Sequence, residues 1–573
     1  MLTAAELLRA AELLATEYAA YAERFDELTA RAPARFAARD WAGGQADAAE
    51  RLALYRRHVD RVLAELPPLL GVHLAETEAW SEMRALHRAW SSGRSDGELA
   101  ETFFNSVTRR VFGTVGVNPA VEFTDSRVHR DEPSAPERVI RAHAGGELAD
   151  LLERILAAHA PDAAWADRAS NIALAAASVA RDLEAAGWDG PPDAADLWPA
   201  PFYRNKGAYI VGRLHRAGET RPLVLALRHD AGGMAVDAAL TSSAEASVVF
   251  GFSWSYFRVM APEPWACVRF LRSIMPLKRV DELYNSIGHN KHGKTELYRE
   301  LLRHLHRPAA RFEPAEGEEG MVMSVITLPS LNVVFKLIKD RFGHPKRTTA
   351  GAVRERYALV FRHDRAGRLA DAQEFERLAF PRECFPPALL ARLLDEAGSI
   401  VSVDEEQVVI SHLYTERRVI PLDRYLLSTP QHVAREAVLD YGWAIKELAA
   451  ANIFAGDMLL KNFGVSRHGR VIFYDYDELT LLTECNFREI PAAMHPEDEL
   501  AAEPWFPVGD HDVFPEEFGS FLLPPSPHRE AFAEVHGDLL DVEWWRAAQL
   551  QAASGALADV FPYARERRLG VHG

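Results

Sequence analysis

The most informative part of this chain is the run Asp457-Met-Leu-Leu-Lys461-Asn462. It is followed by the hydrophobic run Val471-Ile-Phe-Tyr-Asp475-Tyr-Asp477-Glu478. An Asn follows the first Asp by five positions, and thirteen positions later an Asp ends an apolar, strand-like run. This spacing is typical of phosphoryl transfer, in which the first Asp orients the accepting hydroxyl while the Asn and the second Asp hold Mg²⁺ against the nucleotide phosphates. The same pattern is compatible with a solvated loop before an ordinary hairpin.

Two further parts of a kinase-like nucleotide site lie upstream, in the order that kinases use. The glycine-containing segment Gly317-Glu-Glu-Gly320-Met321 precedes two β-branched runs on either side of Pro329-Ser330, which predict two antiparallel strands joined by a turn. Lys336 lies inside the second run, where an ammonium group is costly unless it meets an anion. The alternative is a strand-end lysine that extends to water.

Composition predicts a large cytoplasmic enzyme. A chain of 573 residues is too long for one core, and 48% hydrophobic residues are ample for two or more. The net charge of −18 argues against nucleic acid or an anionic membrane as the main partner. Three dispersed cysteines suit a reducing compartment and predict small core residues. The N-terminus is amphipathic rather than secretory, and the apolar run at 172–180 is too short to span a bilayer.

The distribution of patterns along the chain predicts an α+β protein with two parts. Residues 1–308 read as an α-rich domain with a small β meander near 207–250, in which Ser247-Val-Val-Phe250 is taken as a further strand. Residues 309–573 read as a bilobal kinase-like domain. We place its N-lobe at about 309–415 and its C-lobe at about 416–573.

The chain resembles the isocitrate dehydrogenase kinase/phosphatases, a family of bifunctional bacterial enzymes. The resemblance is strong from about residue 250 to the C-terminus and diffuse but colinear before that. The segments that carry it are 283–299, 320–336, 363–376, 412–418 and 449–464. It implies a regulatory α-rich domain followed by the bilobal kinase-like domain.

The resemblance also assigns roles to particular residues. It implies that Lys336 contacts the nucleotide phosphates, that Asp457 orients the substrate serine, and that Asn462 and Asp475 hold the metal. Asp371 corresponds to an active-site carboxylate with particular weight in the phosphatase reaction. Glu416 and Arg417 would form the hinge that passes the adenine. The phosphate-covering loop would comprise Ala315, Glu316, Gly317, Glu318, Glu319, Gly320 and Met321, with its acidic side chains in solvent.

Several positions keep alternatives open. Asp477 shares a strand face with Asp475 and could join it at the metal, or could cap a following helix with Glu478. Asp371 could instead form a surface ion pair with Arg365 or Arg368. Lys294 and Tyr298 lie four apart on one helical face, which suits an AMP effector site between domains or a solvated stripe. Glu355 is a candidate for the helix glutamate that pairs with Lys336.

The predicted function is that of an ATP-dependent protein serine kinase and phosphoprotein phosphatase that inactivates and reactivates isocitrate dehydrogenase, with ATPase activity. The resemblance implies ATP, ADP for the phosphatase reaction, Mg²⁺, AMP as effector, and control of flux between the tricarboxylic acid cycle and the glyoxylate bypass. A homodimer is compatible with the sequence. The alternatives are a kinase-fold small-molecule phosphotransferase and an inactive scaffold. The family-specific segment at 283–298 disfavours the first, and the full set of site residues disfavours the second.

Overall fold

The computed structural model describes residues 2–124, 140–251, 256–307, 310–317, 319–344, 346, 348–363, 365–492, 505–523 and 526–570. Its N-terminal part is built largely of helices. The first helix begins at a capping box, in which the Thr3 hydroxyl accepts from the Glu6 amide at 3.3 Å and the Glu6 carboxylate accepts from the Thr3 amide at 2.9 Å. The helices described here are α1 (Ala4–Ala30), α2 (Ala32–Ala37), α3 (Trp41–Leu70), α4 (Thr77–Ser91), α5 (Gly97–Phe112), α6 (Leu148–His159), α7 (Arg168–Ala185), α8 (Ser243–Val249), α9 (Pro264–Ile274), α10 (Val280–Ser286) and α11 (Asn290–Leu305).

An antiparallel sheet interrupts these helices and confirms the predicted meander. Its strands are β1 (Arg141–Ala144), β2 (Ala194–Leu197), β3 (Phe202–Arg204), β4 (Gly207–Arg216), β5 (Glu219–Asp230) and β6 (Gly233–Leu240). They lie in the order β1-β2-β4-β5-β6, with β3 paired to β4. The expected strand at Ser247 is wrong, because this run belongs to α8. Ser242 caps that helix by accepting from the Glu245 amide, so a short apolar run that is ambiguous in sequence becomes a buried helix.

The C-terminal part begins with a second antiparallel sheet, ordered β10-β12-β9-β8-β7 with β11 paired to β12. Its strands are β7 (Glu313–Pro314), β8 (Met323–Leu328), β9 (Val333–Ile338), β10 (Ala372–Pro381), β11 (Val401–Val403) and β12 (Gln407–Arg417). Strands β8 and β9 are the predicted hairpin, and Val325 faces Lys336 in its register. The helices α12 (Ala350–His363) and α13 (Pro387–Ala397) accompany this sheet.

A mainly helical lobe follows, so the expected α+β class is confirmed. Short paired strands near its start flank the loops that contain Asp457 and Asp475. Its helices are α14 (Leu422–Ser428), α15 (Gln431–Ala450), α16 (Phe518–Phe521), α17 (Arg529–His536) and α18 (Val542–Ala553); its strands are β13 (Ile420–Pro421), β14 (Ile453–Phe454), β15 (Phe463–Val465), β16 (Val471–Phe473), β17 (Thr480–Leu481), β18 (Asn486–Phe487) and β19 (Asp512–Val513).

Two sequence expectations about the core and the membrane can be compared with the described residues. All three cysteines are free and buried, as expected of small core residues. Among the described helices, none combines the length and the apolar character that crossing a bilayer would require.

A buried ionic network holds the strand that leads into Asp475. The guanidinium of Arg368, whose side chain is 2% exposed, donates to the carboxylates of Asp440 and Glu447, in each case at 2.7 Å. Arg368 also donates to the carbonyl of Val471, and Asp440 accepts from the amide of the same residue. The network therefore holds Val471, the first residue of β16, by both its carbonyl and its amide.

We expect Arg368→Met to destabilise the protein by about 3 kcal/mol, because it removes the buried cation of two half-buried carboxylates, of which Glu447 keeps Arg470 at 3.2 Å. Equilibrium urea denaturation of variant and wild type side by side measures the difference. Arg435→Met on the same helix as Asp440 is the matched control; Arg435 is exposed, so its loss should change stability by less than about 0.5 kcal/mol. A loss below about 1 kcal/mol for Arg368→Met would contradict the assigned role of the network.

Candidate active site

A cleft of about 410 Å³ lies between the β7–β12 sheet and the first loops of the helical lobe. This volume is within the range of small-molecule sites. The cleft brings together most of the residues predicted from sequence. Its lining includes Ala315, Glu316, Gly317, Glu319, Gly320, Met321, Lys336, Glu416, Arg417, Asp457, Asn462, Asp475 and Asp477.

Lys336 projects from β9 into the cleft and is held by an ion pair. Its ammonium lies 2.9 Å from the Glu416 carboxylate and donates to the Tyr474 carbonyl at 2.6 Å. Both side chains are almost fully buried, at 7% and 1% exposure. The alternative of a lysine extending to water is therefore wrong. Tyr357 of α12 donates its hydroxyl to the other oxygen of Glu416.

The partner of Lys336 differs from the expected helix glutamate. Glu416 lies on β12, which pairs with β9 so that Tyr414 faces Lys336. The candidate Glu355 is exposed on α12. Helix α12 reaches the lysine indirectly, through the Tyr357 hydroxyl. The side chains of the predicted hinge pair are both engaged in ion pairs. Glu416 pairs with Lys336, and Arg417 pairs with Glu282 of α10.

The Asp457 loop is organised by the Asn that follows it. The buried Asn462 side-chain amide donates to the Asp457 carbonyl at 3.1 Å, and the Asp457 carboxylate accepts from the Leu459 amide at 3.2 Å. Asp457 itself is half-buried at the cleft. One of its oxygens is thus available to accept from an incoming hydroxyl, the geometry required of a group that orients an acceptor.

Asp475 lies beyond the end of its strand. The run predicted as one strand to Glu478 ends at Phe473, and the Tyr474 amide then donates to the Asn462 carbonyl. The two carboxylates therefore do not share a strand face as expected, but Asp475 and Asp477 still lie near each other at the cleft. No helix follows for Asp477 to cap either, since the next described elements are β17 and a 3₁₀ turn.

Asp477 and Glu478 meet a lysine that the sequence did not single out. The Lys346 ammonium lies 3.1 Å from the Asp477 carboxylate and 2.5 Å from that of Glu478. Arg356 of α12 donates to the Asp477 carbonyl. No sequence signal identifies this pairing, because Lys346 lies in a polar connection far along the chain.

The electrostatics of the cleft suit a cation. Burial and the nearby Asp477 carboxylate raise the pKa of Asp475 to about 7, although Lys336 and Lys346 oppose this shift. A divalent cation would relieve that accumulation of negative charge, and carboxylate and amide oxygens are the ligands that Mg²⁺ prefers. Among the described residues, no group of three or more His, Cys, Asp or Glu side chains is placed to hold a metal alone. Mg²⁺ held by one or two side chains together with phosphates fits this arrangement.

The loop over the cleft keeps its acidic side chains in solvent, as expected. Glu316 is 68% exposed and pairs with Arg418, and Glu319 is 66% exposed and pairs with Lys339. Gly317 has φ of +129°, a conformation that other residues rarely adopt, so the loop requires glycine there. Glu318 lies outside the described residues.

Asp371 lies apart from this cleft, at the start of β10. It lines a second, small cavity between the two parts of the chain, of which Glu416 and Arg417 form the common wall with the cleft. Its carboxylate accepts from Asn285 of α10 and from Gln373, each at 3.4 Å. Burial, together with Glu282 and Asp281, raises the pKa of Asp371 to about 7. The alternative of a surface ion pair with Arg368 is excluded, because Arg368 is engaged with Asp440 and Glu447.

Lys294 and Tyr298 face the catalytic sheet from α11. Both contact the Phe375 ring of β10: the Lys294 ammonium lies 4.8 Å from its centroid, and the Tyr298 ring lies 6.3 Å away. Burial and the nearby Lys291 lower the pKa of Lys294 to about 7. This pair is therefore part of an interface and not a solvated stripe.

Comparisons with known proteins cover the chain from end to end. Residues 11–309 match the model of the isocitrate dehydrogenase kinase/phosphatase (AceK) regulatory domain, and residues 310–565 match that of its kinase domain. A protein of Anaeromyxobacter sp. (strain Fw109-5) named isocitrate dehydrogenase kinase/phosphatase is 48% identical over 565 residues, 98% of either chain. One of the same name from Anaeromyxobacter dehalogenans (strain 2CP-C) is 48% identical over 573 residues, 98% of this chain and 97% of its own. The chain belongs to the isocitrate dehydrogenase kinase/phosphatase family.

Proposed function

We propose that this protein phosphorylates a serine of isocitrate dehydrogenase with ATP and removes the phosphate again, and so sets the division of flux between the tricarboxylic acid cycle and the glyoxylate bypass in the cytoplasm. The observation that carries the proposal is the convergence of Lys336, Asp457, Asn462 and Asp475 on one nucleotide-sized cleft. Relatives of the same name that align over nearly the whole chain support the protein substrate over a small molecule.

In this proposal each cleft residue has one task. Lys336 positions the nucleotide phosphates, and Asp457 accepts a hydrogen bond from the serine hydroxyl and aligns it for in-line attack. Asn462 and Asp475, with Asp477 as a further candidate, would hold Mg²⁺. When bound, the ion would neutralise charge that develops on the transferred phosphoryl group. Backbone amides of 315–321 would cover the phosphates, because the Glu316 and Glu319 side chains face solvent.

The proposal also includes the nucleotides, an effector and the assembly of the protein. We propose ADP as the nucleotide of the phosphatase reaction, an accompanying ATPase activity, and AMP as an effector at Lys294 and Tyr298. The interface position of these two residues supports the effector role, since a ligand there would contact both α11 and β10. A homodimer is proposed as the assembly.

Incubation with labelled ATP and purified isocitrate dehydrogenase tests the function directly. We expect incorporation of label into serine, and its release when ADP and fresh enzyme are added to the phosphorylated product. Label in a small molecule instead of the protein would favour a small-molecule phosphotransferase. No transfer to any acceptor by folded protein would favour an inactive scaffold.

We expect Asp371→Ala to lose most phosphatase activity and to keep substantial kinase activity. Attack by water on phosphoserine needs a group that orients or deprotonates the water, whereas serine phosphorylation depends on Asp457 and the metal. Asp371 lies outside the cleft that holds those residues, and its raised pKa suits proton exchange near neutrality. The measurement is paired: phosphate release from phosphorylated isocitrate dehydrogenase and incorporation into the unmodified enzyme, on one preparation.

Gln373→Ala is the matched control for the separate effects on phosphatase and kinase activity. It removes a hydrogen-bond donor to Asp371 but leaves the carboxylate, so both activities should persist. An equal loss of both activities in Asp371→Ala would assign Asp371 to nucleotide binding or to structure.

A further inference from the structure

A larger cavity, which we call the arginine cavity, shares no lining residue with the nucleotide cleft or with the Asp371 cavity. It has a volume of about 800 Å³ and is formed where α3 meets the loop around Gly288 and the end of α12. Asp60 is the one carboxylate among the described residues that line it. The cationic lining includes Arg51, Arg56, Arg57, Arg258, Lys291 and Arg365. Such an excess is unusual in a chain whose net charge is −18.

Two of these cations are buried without a carboxylate partner among the described residues. Arg51, 8% exposed, donates to the carbonyls of Phe257 and Ile287, and Arg258, 7% exposed, donates to the carbonyl of Gly44. Carbonyls satisfy their hydrogen bonds but do not neutralise their charge. Burial and the neighbouring Arg258 lower the pKa of Arg51 to about 10, although the nearby Asp26 carboxylate opposes this shift.

Two carboxylates oppose the charges of this pair without forming an ion pair with it: Asp26 acts on Arg51, and Asp47 acts on Arg258. Asp47 is buried and lies 3.1 Å from Arg31 and 3.0 Å from Arg35, so it is shared between two other cations. At the rim, Asp60 pairs with Arg56 at 3.6 Å and with Arg110. The cavity therefore keeps a net positive charge in a concave site, where the field on an anion is concentrated.

The backbone leaves room for these guanidinium groups at two glycines. A Cβ on Gly288 would lie 2.0 Å from an Arg51 nitrogen, and one on Gly44 would lie 3.0 Å from an Arg258 nitrogen. Gly288 also has φ of +94°, which favours glycine. The two buried cations are thus built into the fold at the cavity wall.

We propose that the arginine cavity binds a small organic anion with two or more carboxylate or phosphate groups. The planar guanidinium fork matches both groups in bidentate geometry, and the cavity volume is that of a small-molecule site. An anion there offsets the cost of burying like charges, which Asp26 and Asp47 offset only in part. Tyr256 and Phe361 supply aromatic wall for the carbon skeleton of the ligand.

The position of the cavity gives its occupant contact with catalytic helix α12. The ring of Phe361 lies 6.5 Å from that of Tyr357, whose hydroxyl bonds to Glu416, the partner of Lys336. An anion in the arginine cavity would therefore be connected to Glu416, the partner of Lys336, through the Phe361 and Tyr357 rings.

Isothermal titration calorimetry with citrate and with pyrophosphate, in buffer free of Mg²⁺, tests the site. Wild type should bind at least one of them saturably, and Arg56→Gln/Arg57→Gln, which changes two residues that line the cavity and leaves Lys291 beside Lys294 intact, should weaken that binding tenfold or more. Both changed residues are exposed, so the variant should fold. Arg61→Gln, on the same helix but paired with Glu17 outside the cavity, is the matched control and should bind like wild type.

The nucleotide cleft provides the decisive comparison. Lys336→Met/Glu416→Gln should bind the anion as wild type does, because it changes the cleft and leaves the arginine cavity intact. Tighter binding of citrate would identify a polycarboxylate ligand, and tighter binding of pyrophosphate a phosphate ester. Absence of saturable binding by wild type, or binding kept in Arg56→Gln/Arg57→Gln, would overturn the proposal.

Discussion

Lys336→Met is expected to abolish the kinase, phosphatase and ATPase activities together. All three are proposed to use the nucleotide held in the cleft, and Lys336 is the buried cation that faces it from β9. Removal of one positioned donor to a reacting anionic group costs about 100- to 1,000-fold in turnover. The three activities should therefore fall by at least that factor in parallel. They are measured on one preparation with isocitrate dehydrogenase, its phosphorylated form and water as acceptors.

A loss of folding must be distinguished from this loss of chemistry. Lys336→Met leaves the Glu416 carboxylate buried without its cation, a change that costs about 3–5 kcal/mol in comparable buried pairs. Lys336→Met/Glu416→Gln removes the orphaned charge, so it should recover stability in urea denaturation without recovering activity. Near-normal phosphatase activity in the folded double variant would show that the two reactions use separate sites.

Asp475→Asn is expected to lower turnover by at least about 100-fold while the fold stays intact. The change removes a negative charge from the proposed Mg²⁺ ligands, and an amide is a weaker ligand for this cation. Stability should be equal or slightly higher, because burial and Asp477 already disfavour the charged form of Asp475. Kinase assays over a Mg²⁺ titration, with thermal unfolding of the same samples, measure both effects.

Asp477→Asn is the matched comparison, because its carboxylate is paired with Lys346. This variant should lose stability through the broken ion pair, in contrast to Asp475→Asn. Unchanged activity of Asp475→Asn at saturating Mg²⁺ would exclude Asp475 as a ligand and transfer that role to Asp477.

Local sequence patterns are enough to predict the class of the fold and the order of the cleft residues along the chain. Apolar, β-branched runs on either side of Pro329-Ser330 predicted the β8–β9 hairpin, because strand propensity and turn residues are local properties of the sequence. The fixed offsets from Asp457 to Asn462 and Asp475 identified the loop and strand end that meet at the cleft. Local pattern misjudged two segments. The run at Ser247 is helical, and the strand before Asp475 ends at Phe473.

The groups that these residues face depend on how distant segments pack together. Lys336 meets Glu416 because the register of β9 against β12 brings their side chains together, and Asp477 meets Lys346 across the cleft. Asp371 accepts a hydrogen bond from Asn285 of the regulatory part. Spacing of residues within the catalytic part could not predict this contact. Arg51 and Arg258 converge from distant segments in the same way. Periodicity encodes the face on which a side chain lies, whereas its partner depends on strand register and packing between elements far apart in sequence.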